Sequence, residues 1–208
     1  MEILYKTEKS KKEYASSTGE VALKSSITLP VFRSGGFSDR ANAFYAGLSE
    51  RFERFCGKKL LNRASKRGAG KDAPPFGAVM QSKVTFANEE YVSAITDVYI
   101  YDGVRRGDTV RVSQVWNVSD GVIENIDTFV PPSARGAAFE EIVSQAVRRE
   151  RDGERDHGGS AAKLVKKYFD EKRFYLVPGG IAFYFAAGEL DDTAFPEVFI
   201  IKNAKIAP

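Results

Sequence analysis

Val21, Leu23, Ser25, Ile27 and Leu29 alternate with mostly polar or small partners. This period of two predicts a half-buried strand that Pro30 would end. Arg33-Ser34-Gly35-Gly36 reads as a turn, after which the period changes. Ala41, Phe44, Tyr45, Leu48, Phe52 and Phe55 fall three or four apart, so one face of a helix is apolar, with Ser38 or Asp39 as its cap and Gly57 as its stop. Residues 58–75 carry Lys58, Lys59, Arg63, Lys66, Arg67 and Lys71 among Gly68, Gly70, Pro74 and Pro75, and read as a mobile basic loop.

Alternation returns over 79–86 and 91–101, the second segment apolar on both faces as a central strand would be. A polar loop over 102–108 leads to a strand containing Val110, Val112 and Trp116. Ser119-Asp120-Gly121 predicts a tight turn with a returning strand over 122–129. Pro131-Pro132-Ser133 opens a second helix with Phe139, Ile142, Val143, Ala146 and Val147 inward, and Arg148, Arg149 and Arg151 at its cation-favouring end. A polar break over 152–159 precedes a short helix over 160–169. Residues 174–177 and 181–185, joined by Pro178-Gly179-Gly180, make a hairpin, and 198–201 a last strand. The expected fold is α+β: a mainly antiparallel sheet with two long helices and one short helix packed on one face, and a C-terminal β-hairpin. Residues 1–20 read as an N-terminal tail and 21–208 as a single domain.

A hydrophobic share of 43% with 12% aromatic residues is enough for a real core. The 31 basic and 28 acidic side chains leave a net charge of only +3, which is no concentrated basic face and predicts no nucleic-acid partner. Cys56 stands alone, so no intramolecular disulfide forms. No apolar run approaches the ~20 residues of a membrane span, and Ile3-Leu4-Tyr5 is no signal-peptide core. As it stands the chain reads as cytoplasmic, without export signal or anchor.

The search for chemistry returns little. Gly68-Ala69-Gly70-Lys71 lacks the spacing, preceding strand and following hydroxyl residue of a phosphate loop. His157, the only histidine, sits in Asp152-Gly153-Glu154-Arg155-Asp156-His157-Gly158-Gly159, read as a solvated loop tip. One histidine and one cysteine make no zinc site. Glu140 and Glu141 diverge on their helix, and Asp191-Asp192 lacks the spacing of a calcium loop; both pairs read as solvated surface charge. Phe174, Tyr175, Phe183, Tyr184 and Phe185 read as core rather than a carbohydrate platform. No catalytic residue, cofactor or metal is expected.

The stretch Tyr168-Phe169-Asp170-Glu171-Lys172-Arg173-Phe174-Tyr175-Leu176-Val177-Pro178-Gly179-Gly180-Ile181-Ala182-Phe183-Tyr184-Phe185 resembles a recurrent helix-to-hairpin motif. It is similar to the C-terminal domain of bacterial RsiV-type anti-sigma factors, which also accompanies PdaC-type peptidoglycan deacetylases, with Val177 in place of a hydroxyl residue. The segment from Trp116 to Phe129, and Leu29-Pro30 followed by the helix containing Asn42, resemble further parts of that domain, so the likeness spans about Val21 to Ile201. Asp102-Gly103-Val104-Arg105-Arg106-Gly107-Asp108 replaces the family's glycine-glycine-alanine-histidine stretch. The resemblance implies an α+β recognition domain, usually extracytoplasmic, and in the RsiV group a lysozyme ligand; an anti-sigma role is not implied.

The resulting expectation is a non-catalytic binding domain for a protein or cell-wall-related ligand, contacted through Lys66, Arg67, Lys71, Asp102, Arg105, Arg106 and Asp108. The alternatives are a carboxylate-based hydrolase of cell-wall polysaccharide, and a structural or interaction domain with a homo-oligomeric partner.

Overall fold

The computed structural model describes residues 3–33, 36–67, 74–105 and 107–202. The turn expected at 33–36 lies partly outside these residues.

Strands β1 (Tyr5–Ala15), β2 (Val21–Phe32), β3 (Phe76–Ala87), β4 (Tyr91–Tyr101) and β5 (Val110–Asn117) form one sheet in that order. Its pairs are antiparallel except β2–β3. Helix α1 (Ser38–Phe55), a π-helical turn (Cys56–Leu60) and α2 (Leu61–Arg67) link those two strands. A helical crossover returns the chain to the sheet end where it began, and its flanking strands therefore run parallel. Strands β6 (Phe174–Val177), β7 (Gly180–Phe185) and β8 (Glu197–Lys202) form a second, antiparallel sheet. Helices α3 (Pro132–Arg151) and α4 (Ala161–Tyr168) precede it.

The helices do not share one face. Those between β2 and β3 cover the five-stranded sheet, where Tyr45, Phe52 and Leu60 pack with Leu23, Met80, Val92 and Trp116 in two adjoining clusters. The second sheet lies on the opposite side, Tyr175, Ala182 and Tyr184 meeting Ile95. Its outer side buries Phe174, Leu176, Phe183, Phe185 and Phe199 against Ile142 and Ala146 of α3 and Val165 of α4. Alternation along β7 thus serves two different cores, and each sheet needs a helical cover of its own.

Two serines fasten β6 across the seam. The Leu176 N–H donates to Ser93 Oγ at 2.9 Å, and Ser113 Oγ donates to the Phe174 carbonyl at 2.5 Å. Tyr184 N–H donates to Arg173 O, which fixes the bonding alternation and turns both β6 groups away from β7. In the hairpin, Pro178 followed by Gly179 at φ +74° has the pattern of a type II turn. At Gly180 a Cβ would lie 2.5 Å from the Ile201 carbonyl, so only glycine lets β8 approach.

Several expectations are corrected. Residues 1–20 are not all tail, since β1 pairs with β2 along its whole length. As an edge strand it is exposed on both faces except at Tyr14 and carries no apolar alternation to announce it; its lysines discourage pairing with other chains. Pro30 does not end β2. It falls beyond the last β2–β3 pair, Thr28↔Gln81, where a missing N–H costs no ladder bond to β3. Gly57 does not stop the helix either: the π turn carries it on to Arg67. The basic loop read over 58–75 is helical as far as Arg67, and 68–73 lie outside the described residues. Residues 122–129 make one bridge, Trp116↔Ile123, and a 3-10 turn (Ile126–Thr128) instead of a strand. Val147 lies on the exposed side of α3.

Candidate functional site

Five of the seven residues singled out from the sequence are described, and three come together at one end of the larger sheet. Past β4 the chain folds around the Asp102 carboxylate, whose Oδ1 accepts the N–H groups of Val104 (3.0 Å) and Arg105 (2.9 Å). The Arg105 amide, then that of Val104, holds this carboxyl below the usual aspartate range. Gly107 N–H closes the loop on Ile100 O, and Thr109 N–H ties it to Ala194 O, both at 2.8 Å.

Behind the loop stands Arg67, from the last turn of α2. Gly103 has φ +86°, and a Cβ there would meet the Arg67 guanidinium within 2.6 Å, so the guanidinium lies against bare backbone. Arg67 also donates to Pro74 O at 2.8 Å and stacks on Phe76 at 4.6 Å. Arg67, Asp102 and Arg105 are therefore assembled; Lys66 and Asp108 are exposed and contribute no bond to the loop among the described residues. Lys71 and Arg106 lie outside the described residues.

What the loop displays is a valine and a cation. Val104 is 81% exposed, and the Arg105 side chain is 86% exposed with only a loose 3.9 Å contact to Asp102. Val110, beginning the adjacent edge strand, is 63% exposed. An apolar side chain thus stands next in sequence to an exposed guanidinium, the chemical complement of a carboxylate next to an apolar group.

The loop between α3 and α4 departs from its sequence reading. His157 is not a solvated tip: it is 3% exposed, its Nε2 is 3.0 Å from Glu197 Oε2, and its Nδ1 has no hydrogen-bond partner. Glu197 is itself buried and accepts Arg149 Nη1 on its other oxygen at 3.0 Å, the guanidinium lying 4.5 Å over Phe199. Sequence gave no signal for this trio, because its members come from α3, the following loop and β8.

His157 and Cys56 sit in different halves of the molecule, so no Cys–His pair forms. Cys56 packs with Tyr14, Leu23 and Phe52 on the α1 side, and burial pushes its thiol up to about 11.

Beside His157 opens a cleft of about 700 Å³ between residues 154–158, α4 and residues 188–193. Asp191 is not the solvated charge expected from sequence. It is nearly buried, accepts Arg155 Nη1 at 3.2 Å and takes the N–H and hydroxyl of Thr193. Glu189 likewise holds Arg173 through both oxygens (2.9 and 2.7 Å) and accepts the Ala186 N–H. Among the described residues no three His, Cys, Asp or Glu side chains converge as a metal ion would require. No described helix is long and apolar enough to cross a membrane.

At the seam between the sheets Arg111 donates Nε and Nη2 to the two oxygens of Asp97, both at 2.7 Å. It lies 5.9 and 5.8 Å from the rings of Tyr175 and Tyr184. Both tyrosines are only 7% exposed, too little ring face for a sugar platform, and the same burial raises their phenols.

No protein-family model and no curated protein matches the chain. Solved structures do. A member of the DUF3298 family from Bacteroides fragilis superposes with a TM-score of 0.66 at 11% identity, over 96% of this chain and 90% of that one. A DUF3298 family protein from Pseudomonas aeruginosa gives 0.60 at 14% identity, over 97% and 91%. At such identities the likeness is one of fold: the chain has the α+β architecture of these domains of unknown function.

Proposed function

We propose that the chain is a non-catalytic recognition domain whose contact surface is the end of the larger sheet formed by residues 102–110. One observation carries the reading. The loop uses its own carboxylate and three backbone bonds, the third from Asp102 N–H to Arg105 O, to fix a conformation that sends Val104 outward, where folding alone gains nothing from it. Loops held by a rigid sheet are where recognition residues concentrate, and a preformed loop binds without the entropy cost of ordering. The resemblance to the RsiV-type domain supports a protein or cell-wall-related ligand and makes lysozyme the first probe.

The test is calorimetric titration of the full chain with lysozyme and, separately, with soluble peptidoglycan fragments. Each is repeated on a Val104→Asp, Arg105→Glu double variant. Both side chains are exposed, so the variant should melt within about 0.5 kcal/mol of the parent. Binding of either probe that weakens at least about tenfold in the variant, ~1.4 kcal/mol, supports the reading. Binding by neither probe, or equal binding by both proteins, overturns it.

A further inference from the structure

Strand β8 closes the second sheet on one side and leaves a backbone edge open. Because Tyr184 N–H bonds to Arg173 O, residues 184, 182 and 180 direct their backbone groups toward β6. Residues 185, 183 and 181 therefore bond to Glu197, Phe199 and Ile201. The backbone groups of Val198, Ile200 and Lys202 consequently point away from the sheet. The single partner among these is consistent with that: the Ile200 carbonyl accepts Gln145 Nε2 of α3 at 3.0 Å. The N–H groups of Val198 and Ile200 have no partner among the described residues.

A groove of about 630 Å³ runs along this edge, walled by Glu141, Gln145, Arg148 and Arg149 of α3, with Ile200 and Ile201 in its floor. Ile200 is 41% exposed. The edge carries none of the guards found on β1, which has four lysines and two glutamates over its 11 residues. Its only charges, Glu197 and Lys202, stand at its two ends, and Glu197 is buried.

We propose that the occupant of this groove is a second copy of the same chain, with two β8 strands pairing antiparallel about a two-fold axis through Ile200 to make one continuous six-stranded sheet. The charges on the groove wall are self-complementary about that axis. Gln145 lies beside Ile200 and Arg149 beside Glu197, so α3 and β8 run in opposite directions and the axis falls near the middle of the 141–148 segment. A two-fold rotation there brings Glu141 of one copy toward Arg148 of the other, twice over, as an isologous contact requires. Glu141 is tied only to Gln145, four residues on, and Arg148 makes no ion pair among the described residues. Ile200 would pair with its own copy, exchanging N–H and C=O. The carbonyl has a second lone pair, so Gln145 need not let go. The inference does not rest on the recognition reading, since the 102–110 loop is no part of this edge.

Sedimentation equilibrium on the full chain, from about 1 to 100 μM, should show a monomer–dimer equilibrium. Ile200→Pro removes only an outward N–H, so the β7 ladder survives while the new pairing is blocked, and the variant should sediment as monomer. Should that variant fold poorly, charge reversal gives an independent reading. Glu141→Arg and Arg148→Glu should each weaken dimerisation about tenfold, and the two together should restore it. A monomer throughout the range, or a dimer indifferent to the Pro and to both reversals, overturns the proposal.

Discussion

Two loops of this molecule open alike in sequence and end in opposite places. Asp102-Gly103-Val104-Arg105 follows β4, and Asp152-Gly153-Glu154-Arg155 follows α3. Both begin with a carboxylate and a positive-φ glycine, and both carry arginine. The first pushes an apolar side chain into solvent, and the second draws its only imidazole out of solvent. Local composition sets how each chain turns. What the turn presents depends on partners far along the sequence: Glu197 waits for His157, whereas nothing covers Val104.

The largest expected effect comes from removing that distant partner. Glu197→Ala leaves the Arg149 guanidinium and the buried imidazole without their common carboxylate. Breaking a buried pair from one side costs about 3 to 5 kcal/mol. Melting should fall by roughly 10 °C for a chain of this size. Arg155→Ala, which breaks the more exposed bridge to Asp191, should cost about 1 kcal/mol or less. If thermal denaturation gives the two variants equal losses, the second loop is held no more firmly than an ordinary surface turn.

The same contrast explains what the sequence shows and hides. Helix α1, strand β4 and the β6–β7 hairpin are legible because Phe44, Phe52, Val92 and Phe183 repeat at the spacing of their element. Strand β1 is not, because an edge strand that buries only Tyr14 has no apolar face to repeat. The π turn at Cys56–Leu60 is hidden because Gly57 reads as a stop, while the chain stays helical through it to Arg67. Of the candidate contacts, the 102–108 loop is visible as a loop; that Arg67 stands behind Gly103 is a tertiary fact. The burial of His157 is hidden for the same reason, since the carboxylate it bonds is 40 positions away.

A smaller and more local break compares the two glycines. Gly103 and Gly153 have φ of +86° and +71°, so alanine at either pays the left-handed penalty of about 1 kcal/mol. At Gly153 a Cβ meets nothing within 4 Å, whereas at Gly103 it meets the Arg67 guanidinium. Displacing Arg67 from Phe76 should add about 0.5 to 1 kcal/mol, so Gly103→Ala should melt a few degrees lower than Gly153→Ala. Equal melting temperatures would mean that Arg67 does not support the loop.

The smallest effect lies in the two leading carboxylates. Both Asp102 and Asp152 are held below the ordinary value of 3.8, for different reasons. Backbone amides of Arg105 and Val104 act on Asp102, while the Arg151 side chain acts on Asp152. A carboxyl group lowered in the folded state stabilises its loop fully above its unfolded value. That contribution fades as pH falls through the lower folded value. Fixed amides keep their geometry in salt, but an exposed guanidinium is screened over roughly 3 Å at about 1 M. Carboxyl carbon shifts followed by NMR from about pH 6 to 2 should therefore move the Asp152 midpoint up toward 3.8 in high salt and leave that of Asp102 low. A salt shift of equal size at both would mean that Asp102 is held by charge, and that the loop displaying Val104 is not a preformed one.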